Sequence, residues 1–137
     1  MKPTKIIYWS TTVITGLMMA YSGIAYLTQP AIAQGFQHLG FPDYFRVELA
    51  IAKFLGVVLL IAPVAPRVKE WAYAGFAITF VSALIAHISS GDPAVVRIAP
   101  VVFLLLLAAS YFSYHRLQQP VTHEASQGNR AFHPAVK

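Results

Sequence analysis

The sequence predicts an all-α fold, an integral membrane four-helix transmembrane bundle. Three observations carry that reading. The chain has 137 residues, of which 57% are hydrophobic and only 11% charged, against roughly 25% charged in an average soluble domain. Its apolar residues fall into four runs, at about 6–27, 44–62, 71–87 and 93–114, near the ~20 helical residues that cross a bilayer core. The stretches between them hold the Pro, Gly and charged residues that break helices. A soluble fold of this length could not hide so much apolar surface. One domain, 1–114, is therefore expected, followed by a polar, mobile tail at 115–137.

Bulk charge narrows the function. The net charge is +5, with a pI near 9.7. The basic residues are scattered and flank the apolar runs, as topology signals do, so nucleic acid is not an expected partner. No cysteine is present, which excludes disulfides, thiolate metal sites and an internal thiol relay. No nucleophile elbow, phosphate loop or dinucleotide fingerprint occurs.

The first run follows a short basic start and is uncharged from Ile6 to Leu27. It exceeds the ~7–15 residue core of a signal peptide, although Ala31-Ile-Ala33 resembles a cleavage site. Residues 28–44 read as a Gln-, Gly- and Pro-rich loop with at most one helical turn. Pro42-Asp43 opens the second helix, with proline at a first position and an acid at the positive dipole end. Pro63 and Pro66 end it, and Arg67, Lys69 and Glu70 form a charged turn before Trp71. After Ser89-Ser-Gly-Asp-Pro93, the fourth helix begins near Pro93, with Pro100 as a candidate kink. Lys2, Lys5, Arg67, Lys69, Arg116, Arg130 and Lys137 fall on one side of such a bundle, Arg46 and Arg97 on the other. The positive-inside rule then places both termini in the cytoplasm.

Small residues recur at helical spacing: Thr12, Gly16, Ala20 and Gly23 in the first run, and Ala72, Gly75, Thr79, Ser82 and Ala86 in the third. Such stripes let helices approach closely in lipid. The first three helices are expected to pack most tightly, with the Leu-rich fourth facing lipid.

The segment from Gln37 to Lys53 organises the functional reading, because it carries Arg46, Glu48 and Lys53 into an apolar run. Charges there are costly and mark function unless they only fix the bundle. Arg46 and Lys53, seven apart, share a helix face within about 20°, and Glu48 lies about 200° from Arg46. Asp43 can reach Arg46, and Glu48 is expected to meet Arg97 or His87. Lys53 either snorkels or faces a polar cavity. His38 and His87 share a side, but as metal or haem ligands they lack acidic or thiolate partners at ligand spacing, so no metal site is assigned.

The stretches Phe36-Gln-His-Leu-Gly-Phe-Pro42, Tyr44-Phe-Arg46, Glu48, Ala52-Lys53, Lys69-Glu-Trp-Ala-Tyr-Ala-Gly-Phe76 and Ser82 to His87 resemble the DoxX-like family of small four-helix bacterial membrane proteins. The resemblance runs from Lys5 to Tyr114 and implies a multi-pass protein of the bacterial inner membrane. Members similar to the name-giving protein include a subunit of a thiosulfate:quinone oxidoreductase. More distant relatives act in membrane-protein assembly or cargo handling. The family offers no catalytic motif to transfer.

These observations lead to a membrane subunit with a polar pocket in its outward half. The pocket would be built from Lys53, Glu48, Arg46 and His87, with His38 and Arg97, and Tyr26 would supply an apolar wall. It would hold a quinone-like lipophile in support of a redox step, with Lys53 or His87 on the head group. The lipid bilayer, a membrane or redox protein and a second copy of the chain are the partners considered, and at most the chain is an accessory subunit of a quinone-linked oxidoreductase. The alternatives are a non-enzymatic assembly factor or structural partner, and a small transporter using Glu48 as a proton-coupled carboxylate.

Overall fold

A computed structural model describes residues 2–119. Among these residues the chain is all-helical: α1 (Pro3–Thr28), α2 (Pro30–His38), α3 (Asp43–Ile61), α4 (Pro66–Ser89) and α5 (Ala94–Gln118). The four long helices run alternately up and down. The short α2 lies across one end of the bundle, touching α1 and α3.

Proline sets three of the starts. Pro3, Pro30 and Pro66 each stand in the first helical turn, where the missing N–H is not needed and φ is already helical. Pro66 therefore opens α4 directly, and Arg67, Lys69 and Glu70 lie inside the helix instead of in the expected turn. The expected loop at 28–44 holds the nine-residue α2. Helix α5 continues past Tyr114 because its last turns still pack: His115 meets Glu70 of α4 at 2.7 Å, and the Tyr114 ring lies against Tyr73. Pro100 sits buried inside α5 without ending it. The rest of the expected tail, 120–137, lies outside the described residues.

Glycine closes two helices. Gly40 and Gly91 have φ of 82° and 72°, a region open to glycine at little cost. Each lets the chain reverse so that trailing N–H groups cap the helix. Gly40 N–H donates to Gln37 O and Phe41 N–H to Phe36 O; Gly91 N–H donates to Ile88 O and Asp92 N–H to His87 O. This left-handed cap stacks the residue after the glycine over one in the last turn. After α2 the stacked pair is Phe36 and Phe41. After α4 it is His87 and Asp92.

The core joins Met19 of α1, Leu60 of α3, Ala72, Tyr73, Phe76 and Phe80 of α4, and Leu107 of α5, flanked by Phe103, Leu104, Tyr111 and Tyr114. Helix α1 packs chiefly against α3 and α5, and α4 packs against α5 more than against α3. This corrects the expectation of a tight trio beside a lipid-facing fourth helix. Helix α5 reaches the core through Leu107 and through Ser110, which bonds Thr12 Oγ1 at 2.6 Å and Tyr73 Oη at 2.8 Å.

Polarity is inverted relative to a water-soluble bundle. Lys53 and Lys69 are 4% and 7% exposed, whereas Ile51, Leu55 and Val58 of α3 are 53%, 57% and 61% exposed. Helices α4 and α5 are long and apolar enough to cross a membrane. Of the four expected spans, these two meet that measure. Helix α3 does not, because Asp43, Arg46, Glu48 and Lys53 all lie within it, and α1 is diluted by its Ser, Thr and Tyr residues.

At Gly56 the Phe76 ring of α4 packs against α3: a Cβ there would come within 2.5 Å of it. Gly56→Leu should therefore destabilise the bundle by about 1–3 kcal/mol, read as a lowered unfolding midpoint in detergent. Gly75→Ala, whose added Cβ meets nothing within 4 Å, should not lower it.

Candidate functional site

Three contacts made by α2 and the α4–α5 turn build the site. Asp92 sits above the last turn of α4 because Gly91 turns the chain back. Its Oδ2 lies 2.6 Å from His87 Nδ1, and its Oδ1 lies 2.9 Å from His38 Nε2 at the end of α2. One carboxylate thus ties α2 to α4. Hydrogen bonds from His87, and then from His38, hold the Asp92 carboxyl below the usual carboxylate range. An ionised carboxylate can only accept, so both histidines donate to it. The other side of α2 is fixed by an aromatic ladder, Tyr26–Phe36–Phe41–Phe45, with successive ring centres 5.0, 6.1 and 5.0 Å apart.

Beneath this roof lies a cavity of about 670 Å³, within the size range of small-molecule sites. All four ladder aromatics line it, together with Leu49 of α3 and Ile78, Thr79, Ser82 and Ala83 of α4. Its polar end is His38, His87 and Asp92. The walls suit an apolar body, and the end suits a hydrogen-bonding head. With Nδ1–H committed to Asp92, neutral His87 keeps Nε2 free as an acceptor for a ligand hydroxyl.

The sequence-predicted residues are divided between places. His38, His87 and Tyr26 line the cavity. Lys53 and Arg46 lie behind it, on the α1–α3 seam. Lys53 Nζ donates to Ser22 Oγ at 2.7 Å and stands 3.5 Å from the centre of the Tyr26 ring. Arg46 bonds Asp43 Oδ1 at 2.8 Å and also donates to the Tyr26 backbone oxygen. Tyr26 is the hinge of the arrangement, because one residue forms cavity wall, cation–π partner and backbone acceptor. Glu48 is exposed and meets neither Arg97 nor His87: it lies on the far face of α3 from Arg46, and His87 is taken by Asp92. Arg97 is half-buried, with its Nε unpartnered among the described residues, and does not line the cavity.

Sequence reasoning missed two things. In the sequence Asp92 stands only as part of the turn before the fourth helix. The signal was an acid five residues after His87 across a glycine, the spacing at which a left-handed cap stacks two side chains. Lys69 was read as a turn charge. It is buried at the opposite end, with Nζ 3.3 Å from Tyr8 Oη and 5.3 Å from the centre of the Tyr114 ring. No group of three or more His, Cys, Asp or Glu side chains among the described residues is placed to hold a metal ion.

A family model described as the DoxX-like family matches residues 10–110. No curated protein and no solved structure matches the chain.

Because the Asp92 pKa is lowered in the folded chain, its contribution to holding α2 is complete above the ordinary carboxylate range and is lost as pH falls through the depressed value. Asp92→Asn should reproduce the acid state at neutral pH. Amide exchange in residues 30–38 should rise several-fold in the variant, and in the native chain only on acidification below that range.

Proposed function

The chain belongs to the DoxX-like family and is a membrane protein; from that premise we propose that all four long helices cross the bilayer and that the cavity beneath α2 binds a lipophile with a hydrogen-bonding head, such as a quinone. The exposed apolar stripes support four spans. On α1 they include Val13, Leu17, Tyr21 and Ile24, and on α3 Ile51, Leu55 and Val58. Contiguous apolar surface of this extent is at home in lipid. The basic residues of the α1 start, the α4 start and the α5 end share one side, which favours that side as cytoplasmic in a bacterial inner membrane. The cavity then lies in the outward half.

One observation carries the ligand reading: an aromatic, apolar cavity whose polar end is a histidine held by a carboxylate. A head-group hydroxyl would donate to His87 Nε2, with the Asp92 bridge holding the ring in that orientation. The electrons of any redox step would pass to a partner subunit, which makes this chain an accessory component. Lys53 acts as a positioning residue that holds Tyr26 against the cavity. Glu48, exposed and outside the cavity, gives proton-coupled transport no foothold in this site.

Purification in native-lipid nanodiscs followed by mass spectrometry tests the proposal. A stoichiometric lipophile other than bulk lipid is expected. It should be bound several-fold to about tenfold more weakly in His87→Leu, the order of one lost hydrogen bond, and unchanged in Glu48→Gln. A preparation holding bulk lipid alone, or a ligand insensitive to His87→Leu, would sink the reading.

A further inference from the structure

The cavity beneath α2 has a neighbour along the same pair of helices. A second cavity, of about 390 Å³, lies along the same α3–α4 seam and shares Leu49 and Thr79 with the first. It runs past Ala52, Lys53 and Gly56 of α3 and past Gly75 and Ala72 of α4, as far as Trp71. From His87 to Trp71 the seam follows sixteen positions of α4, about 24 Å at the rise of an α-helix. That is most of a bilayer's hydrocarbon core.

The two ends differ chemically. The outward end carries His38, His87 and Asp92. The lower stretch is lined by apolar and small side chains, apart from Lys53 and Thr79. Both of these are turned to other partners. The Lys53 ammonium is held by Ser22 and Tyr26 on α1, which leaves the seam its methylene stem, and Thr79 Oγ1 donates to the Gly75 backbone oxygen. Small residues at Ala72, Gly75 and Thr79 would ordinarily bring a neighbouring helix close. Here Gly75 is exposed and a Cβ on it meets nothing within 4 Å, so the stripe lines an open groove instead of closing a contact.

We propose that the two cavities form one continuous site for a long-chain amphiphile, its head at His87 and Asp92 and its unbranched or prenyl chain lying along the α3–α4 seam toward Trp71. This rests on the proposed head-group pocket and adds the ligand class: a lipid-like molecule with a chain of near-bilayer length, as opposed to a compact lipophile.

The test uses the full chain in nanodiscs and a series of ubiquinone analogues with no chain, a decyl chain and an oligoprenyl chain. Binding is read by quenching of the two tryptophans, with empty nanodiscs as the partition control. Affinity should rise with chain length. Gly75→Leu, which places a side chain in the open seam, should weaken the oligoprenyl analogue by about tenfold or more, the worth of a few buried methylenes, and leave the chainless head unaffected. Ala52→Leu, from the opposite wall, should do the same and guards against a folding defect peculiar to Gly75. Equal affinity along the series, or a Gly75→Leu protein that loses no chain-length advantage, overturns the groove while the head pocket stands. A chainless head that fails to bind the native chain overturns the pocket itself. If Gly75→Leu instead converts an oligomer to a monomer, a helix of a second copy fills the seam and the groove proposal falls.

Discussion

The Asp92 carboxylate is the contact on which the α2 end of the bundle depends. It bonds the last turn of α4 through His87 and the end of α2 through His38. Its place is fixed by backbone geometry, because Gly91 adopts a left-handed conformation that turns Asp92 back over His87. An apolar pair usually occupies this stacked position, and the end of α2 follows that rule with Phe36 and Phe41. The α4 end substitutes a charged hydrogen bond, which is stronger and directional. With α2 held from both sides, the space beneath it becomes a roofed cavity.

Lipid as solvent explains the rest of the polar arrangement. A bundle whose outside is apolar must satisfy polar groups within itself. Lys53 does so with a hydroxyl and a tyrosine face, and Lys69 repeats the solution at the other end with Tyr8 and Tyr114. One turn from Lys69, Thr12, Ser110 and Tyr73 close a hydroxyl network joining α1, α5 and α4. Neither lysine has a carboxylate partner among the described residues. Both ammoniums rely on aromatic faces and hydroxyls, weaker partners than a carboxylate but far better than hydrocarbon.

Small residues have opposite consequences in different seams. On α1, Gly23 lets Phe54 approach so closely that a Cβ would lie 2.9 Å from the ring, and Gly16 faces Val57 and Ile61. There the stripe closes the α1–α3 contact. On α4, Gly75 faces open space and the stripe makes a gap. The difference lies in how the helices are rotated, since Gly16 and Gly23 are buried against α3 whereas Gly75 is exposed beside the α3–α4 seam.

What the sequence by itself determined is the class of solvent and the order of elements. Apolar runs broken by Pro and Gly specify helices that turn back on themselves, because only a helix satisfies its backbone within one segment. The Asp43–Arg46 pairing was also legible, since it depends on spacing within one helix. Pro66 as a helix start could have been read from the same rule that placed Pro93, but the charges after it argued for a turn. Tertiary structure alone decided which side chains share a space. Lys53 and His87 lie on different helices, and nothing local says that one faces α1 and the other the α2 roof. The union of His38 with Asp92 across 54 positions, the burial of Lys69 and the open seam at Gly75 depend on how helix faces are rotated against one another. That rotation is set by the whole set of interhelical contacts at once, and no single stretch of sequence contains it.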